Sequence, residues 1–154
     1  MENDYSKLKL KNQICFPLYL CSKELVRKYT PMLNELDLTY TQYVVMMYFW
    51  EKEESSLKRL SNMILLDSGT LTPVLVKLEK KGYIKRSRST KDERNLMIKL
   101  TKKGRDLKEK AIDIPTEITK CLNLSEKEAK TLYMLCYKAL FNLEGKDTNG
   151  NNWS

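Results

Sequence analysis

The chain has 154 residues, four cysteines, no histidine and 28 Lys+Arg against 20 Asp+Glu, a formal net charge of +8. That length suits one domain, or one subunit of a small oligomer, and buries roughly 70% of the unfolded surface, so no disulfide staple is required. No run of about 18 apolar residues is present to span a membrane, and the polar start MENDYSKLKLKNQ lacks the apolar core of a secretory signal; a cytoplasmic protein with reduced thiols is expected.

Along the chain, Leu18, Leu25, Tyr29, Met32 and Leu36 recur at helical spacing, with Pro31 expected to kink or divide the helix. A second helix follows Thr39 or Thr41 and carries Tyr43, Val44, Met47, Tyr48 and Trp50. Ser55 or Ser56 is suited to cap a short helix, LKRLSNMI. In LLDSGTLTPVLVKLEKKG, Asp67 or Ser68 serves as cap and Pro73 falls in or near the first turn. Leu71, Leu75 and Leu78 supply an apolar face, and Gly82 suits the position after the last turn. Two helices joined by a short turn form a helix-turn-helix.

After Gly82 the period changes to that of strands. YIKRSRS and LMIKL alternate, with Leu96, Ile98 and Leu100 on one side, and the polar TKDERN lies between them as a turn. Helix, turn, helix and basic hairpin is the order of a winged helix. Thr101 begins a further helix that tolerates Gly104 at some cost and is interrupted near Pro115. Ser125 and Glu128 form a capping box for the last helix, whose apolar face includes Ala129, Leu132, Tyr133, Cys136, Ala139, Leu140 and Leu143.

The charge is placed as unevenly as the elements are regular. Residues 77–110 hold 14 Lys+Arg and 5 Asp+Glu, a net +9, while the rest of the chain sums to −1. A surplus confined to one segment favours a polyanionic partner over a merely solvated face. The expected fold class is mainly α with a small β-hairpin wing. It is one domain over 1–154, with a DNA-binding winged helix-turn-helix at about 39–100, helices at about 8–38 and 101–144, and a disordered tail at 145–154. Amphipathic helices at both ends need a partner. They either pack back onto the same subunit or, as favoured here, form a homodimer, which sets two recognition helices one turn apart on a pseudo-palindromic double-stranded DNA.

QICFPLYLCSKE, LDSGTLTPVLVKLEKKGYI and KDERNLMIKLT together resemble the MarR family of winged-helix repressors, and within it the organic-hydroperoxide-sensing, OhrR-type branch, over about residues 5–143. The resemblance implies a symmetric dimer. It implies a recognition helix whose Ser68 and Thr70, with the neighbouring Asp67 and Thr72, meet the major groove, and Lys77 and Arg86 close to phosphates. It also implies that Arg94 enters the minor groove, held by Asp92. Small hydroxyl side chains approach base edges closely, and a narrow minor groove attracts arginine.

The thiols lie at 15, 21, 121 and 136, without paired spacing or histidine, so no metal and no other cofactor is expected. Cys15 and Cys21 are turned apart by about 240° on a helix and do not bridge. Cys21 and Cys136 read as small hydrophobes. Cys15 lies at a helix start, where the macrodipole favours a thiolate, with Tyr19 one turn away; these residues alone leave it open between packing and reactivity. The resemblance makes Cys15 the peroxide sensor, with Tyr29 and Tyr40 reaching it across the dimer. It makes Cys121 a candidate resolving thiol, against an ordinary semi-buried cysteine. Pro17 departs from the branch pattern, so the helix is expected to begin near it, leaving Cys15 just before or at the cap. The favoured function is a repressor that releases DNA when an organic hydroperoxide oxidises Cys15. The alternatives are a regulator that binds a small phenolic ligand, with Cys15 incidental, and a thiol peroxidase, for which the chain lacks the Pro-x-x-x-Thr-x-x-Cys run.

Overall fold

The computed structural model describes residues 5–88 and 96–145. Two compact units emerge, Met1–Pro115 and Thr116–Ser154. In the first, two short 3-10 turns, Tyr5–Leu8 and Leu10–Asn12, lead into helix α1, Cys15–Glu35. The helix therefore starts two residues ahead of Pro17. Phe16 keeps its place because its N–H reaches the Gln13 carbonyl at 3.3 Å. Pro17 then falls in the first turn, where an amide has no intrahelical acceptor to lose. Pro31 lies inside α1 without dividing it.

The next three helices each start at a side-chain cap. Thr39 and Gln42 form a capping box for α2, Tyr40–Lys52. Ser56 caps α3, Leu57–Ile64, and Asp67 caps α4, Ser68–Lys80. Such a cap stabilises a helix by about 1 kcal/mol. Pro73 is the sixth residue of α4, just past the first turn and near it as the sequence implies. α4 ends in a Schellman turn: Gly82 adopts φ 77°, its N–H reaches the Glu79 carbonyl, and the Tyr83 N–H reaches that of Leu78.

The chain then runs into β2, Ile84–Arg88, and β3, Leu96–Leu100, an antiparallel pair with Arg86 opposite Ile98. A third strand that the sequence did not announce, β1 (Glu54–Ser56), pairs with β3 on its other side, giving the order β1-β3-β2. Three polar residues carry no strand signal. Ser55 is buried there and shares a hydrogen bond of 2.7 Å with the Tyr48 hydroxyl.

The core of this unit gathers one face from each element: Leu33 from α1, Tyr43, Met46 and Phe49 from α2, Leu60 from α3, and Leu71, Leu75 and Leu78 from α4. Each such side chain contributes about 1.5–3 kcal/mol by leaving water. The buried face of α2 is thus Gln42, Tyr43, Val45, Met46 and Phe49, while Met47 is exposed. Ile84 and Ile98 of the sheet are buried as well.

Thr101 caps α5, Lys102–Ala111, and α6, Ile114–Leu122, follows with Pro115 as its second residue. Gly104 is required rather than tolerated. A β-carbon there would stand 2.2 Å from the Tyr83 carbonyl oxygen, and the Trp50 indole donates to the Gly104 carbonyl at 2.8 Å. In the second unit, Ser125 and Glu128 form the capping box of α7, Glu126–Glu144, and Gly145 closes it at φ 65°. No residue of α7 is buried. Tyr133, Tyr137 and Phe141 stack along it at 4.7 and 5.9 Å, and Met134, Leu135 and Leu143 lie open to solvent.

Candidate functional site

Two groups of side chains carry chemistry. The first is the start of α4 and the strands behind it. Asp67, Ser68, Thr70, Thr72 and Lys77 are all exposed. Asp67 accepts the Thr70 N–H at 2.9 Å through one carboxylate oxygen and the Thr70 hydroxyl at 2.7 Å through the other. These bonds, the hydroxyl first, hold its pKa below the ordinary carboxylate value. The Thr72 hydroxyl donates to the Ser68 carbonyl at 2.6 Å. Both threonines thus spend their protons inside the helix and present oxygen lone pairs outward, suited to amino groups at base edges rather than to phosphate oxygens.

Lys85 and Arg88 on β2 are exposed. Arg86 is different. Its guanidinium meets the Glu79 carboxylate through Nε at 2.8 Å and Nη2 at 2.8 Å, and its backbone N–H donates to the other oxygen at 2.8 Å. Asp92 and Arg94, expected in the wing, lie outside the described residues.

The second group is the thiols and phenols. All four cysteines are unbridged and exposed. Cys15 is the first residue of α1, at the positive end of a 21-residue helix dipole. Tyr19, one turn along, is exposed. Tyr29 and Tyr40 are brought together, with ring centroids 5.0 Å apart, and Tyr43 stands 5.8 Å from Tyr29. Burial, and then the neighbouring phenols Tyr40 and Tyr43, push the Tyr29 pKa up to about 12.

Within one chain the tyrosine cluster does not reach the thiol. Cys15 and Tyr29 are 14 positions apart on α1, about 21 Å along its axis. They do share a stripe: Cys15, Tyr19, Ser22, Val26 and Tyr29 alternate at spacings of four and three. Cys121 is exposed on α6. Cys21 and Cys136, read from sequence as packing residues, are exposed too among the described residues.

Sequence reasoning missed Glu79 and the roles of Gly104 and Trp50, which help hold this frame together. Lys81 was missed too. Its ammonium donates to the Asp37 carbonyl, pairs with the Asp37 carboxylate at 3.1 Å and reaches the buried Gln42 at 3.3 Å. A lone Glu or Lys in a basic segment has no spacing signature that reveals such a partner.

Comparison with known proteins agrees with this frame. Residues 27–111 match the family described as transcriptional regulator SarA/Rot. The chain is 43% identical over 147 residues to the organic hydroperoxide resistance transcriptional regulator of Bacillus subtilis, covering 96% of this chain and 100% of that one. It is 46% identical over 132 residues to the HTH-type transcriptional regulator SarZ of Staphylococcus aureus, 86% of each chain. Among solved structures, reduced AbfR bound to DNA superposes with a TM-score of 0.75 at 32% identity, covering 92% of this chain and 99% of that one. AbfR of Staphylococcus epidermidis is also known in a disulfide-formed state, with a TM-score of 0.64. These relatives are transcriptional regulators, not enzymes. No described helix is long and apolar enough to cross a membrane.

Proposed function

Because the chain belongs to the MarR family of winged-helix transcriptional regulators and is of the OhrR type, we propose that it is a homodimeric repressor whose Cys15 senses organic hydroperoxides. Residues at about 39–100 form the DNA-binding part, and helices at about 8–38 and 101–144 make the dimer. Ser68, Thr70 and Thr72 face base edges, Asp67 orders them, and Lys77 meets phosphate.

The observation that carries the reading is the stripe on α1, with an exposed thiol at one end and a protonated phenol cluster at the other. Two copies of α1 laid antiparallel about a two-fold axis bring each Cys15 beside the partner subunit's Tyr29 and Tyr40, while Tyr19 stays on the thiol's own helix. Phenol hydroxyls and the helix dipole then stabilise the thiolate. The thiolate sulfur attacks the terminal oxygen of the hydroperoxide; the O–O bond breaks, an S–O bond forms to give the sulfenic acid, and the alkoxide leaves, taking a proton from water to become the alcohol. The sulfenic acid no longer carries the charge that the tyrosines held, so the dimer region rearranges and the recognition helices lose their spacing.

Cys121 captures the oxidised thiol. Its thiol displaces the hydroxyl of the partner subunit's oxidised Cys15, forming a disulfide and water. The disulfide-formed state of AbfR supports this step. The test is a titration of the chain on a duplex selected by it from a random-sequence pool. Affinity should fall steeply with salt as counterions are released, and about one equivalent of cumene hydroperoxide per subunit should release the DNA. Binding unaffected by the hydroperoxide would overturn the sensor reading.

A further inference from the structure

The clamp between Glu79 and Arg86 joins the two parts of the molecule that must reach different grooves. Glu79 lies in the last turn of α4, and Arg86 lies in β2. Between them stands the turn at Gly82, whose pivot is already tied. The Thr101 hydroxyl donates to the Gly82 carbonyl at 2.6 Å and to the Tyr83 carbonyl at 3.0 Å, and the Lys103 ammonium donates to the Lys81 carbonyl at 2.7 Å. Ties at a pivot fix its position. A tie farther out along both arms fixes the angle. β2 is an edge strand, and its Arg86 N–H is taken by Glu79 rather than by a neighbouring strand. The guanidinium supplies two more bonds to the same carboxylate. Both side chains are shielded, Arg86 at 23% and Glu79 at 34% exposure, so the pair is less screened than an open surface pair.

From this geometry we infer that Glu79 is a positioning residue for DNA recognition: it sets the angle between recognition helix and wing, and Arg86 serves it as a strut rather than as a phosphate contact. The inference rests on the DNA-binding reading above and revises the place that the resemblance gave Arg86. It also makes a prediction opposite in sign to simple electrostatics. Removing an anion beside DNA raises affinity if charge alone matters; removing this anion lowers it where both grooves must be met at once.

The experiment uses the full-length wild-type chain, Glu79→Gln, Arg86→Gln and the double variant. Each is titrated by fluorescence anisotropy on the duplex selected by the wild-type chain and on a random-sequence duplex, at several salt concentrations. Glu79→Gln should bind the selected duplex about 3- to 10-fold more weakly, the loss of charge-assisted bonds discounted for partial exposure, and the random duplex as well as or better than wild type. Arg86→Gln should lose a similar factor without lowering the salt slope, and the double variant should be no worse than either single one. A Glu79→Gln chain that binds the selected duplex as tightly as wild type, or an Arg86→Gln chain whose salt slope falls by about one, would overturn the inference. Urea midpoints identify a variant that fails to fold, and either single variant alone then decides the sign. If no duplex is enriched by the wild-type chain, the DNA-binding reading fails instead.

Discussion

A phenol that loses its proton cannot donate to a thiolate, so the protonation of Tyr29 decides whether the proposed sensor pocket works. Burial raises the Tyr29 pKa from 10.0 to about 12 and also raises those of Tyr40 and Tyr43. Each phenol therefore remains a donor at neutral pH with wide margin. The same shift couples folding to alkali. The unfolded chain releases the Tyr29 proton near 10, whereas the folded chain holds it to about 12. The contribution is intact below pH 10 and is lost as pH rises through that window. Urea unfolding followed by circular dichroism should show midpoints falling between pH 10 and about 12, and Tyr29→Phe should flatten the fall. An unchanged pH slope in Tyr29→Phe would mean that the phenol is not desolvated.

At the scale of elements, side-chain caps made most boundaries legible. The starts of α2, α3 and α4 were legible to within one or two residues, as Thr39 or Thr41, Ser55 or Ser56, and Asp67 or Ser68, and those of α5 and α7 at Thr101 and Ser125. The structure uses Thr39, Ser56, Asp67, Thr101 and Ser125, each of which accepts a first-turn N–H. What sequence could not show were contacts between elements distant along the chain. β1 exists because β3 offers it a free edge, and Gly104 matters because α5 approaches Tyr83 too closely for any side chain. α1 starts at Cys15 rather than near Pro17 because the turns before it shape its entry: the Asn12 side chain donates to the Ser6 carbonyl at 2.7 Å and the Gln13 side chain to the Lys7 carbonyl. Gly104→Ala should destabilise the fold by about 1–3 kcal/mol through overpacking, read as a shift in urea midpoint. A midpoint equal to wild type would show that α5 moves away from Tyr83 without cost. Thr39→Ala, which removes one half of the α2 capping box, should cost about 1 kcal/mol, measured in the same way.

For the whole molecule, the basic segment and the helix-turn-helix were readable in the sequence, since charge surplus and apolar period need no partner to be seen. The sensor was readable only through resemblance, because Cys15 and Tyr29 stand about 21 Å apart along α1 within one chain, and the proposed pocket forms only between subunits. The exposed apolar face of α7 fits the same reading. The chain should sediment at twice its own mass, and Tyr133→Glu with Leu135→Glu, both exposed in the single chain, should shift it toward monomer and weaken DNA binding with it. After stoichiometric hydroperoxide, a denaturing gel should show a reducible dimer, absent in Cys121→Ser. Peptide mapping that finds Cys121 unmodified would make it an ordinary surface thiol.

The central claim is that the oxidation state of Cys15 controls DNA binding, and the most direct measurement compares wild type with Cys15→Ser on the same selected duplex, before and after one equivalent of cumene hydroperoxide per subunit. Both chains should bind alike when reduced; after treatment, wild type should dissociate and Cys15→Ser should remain bound. Release of the duplex by oxidised Cys15→Ser to the same extent as wild type would contradict the account.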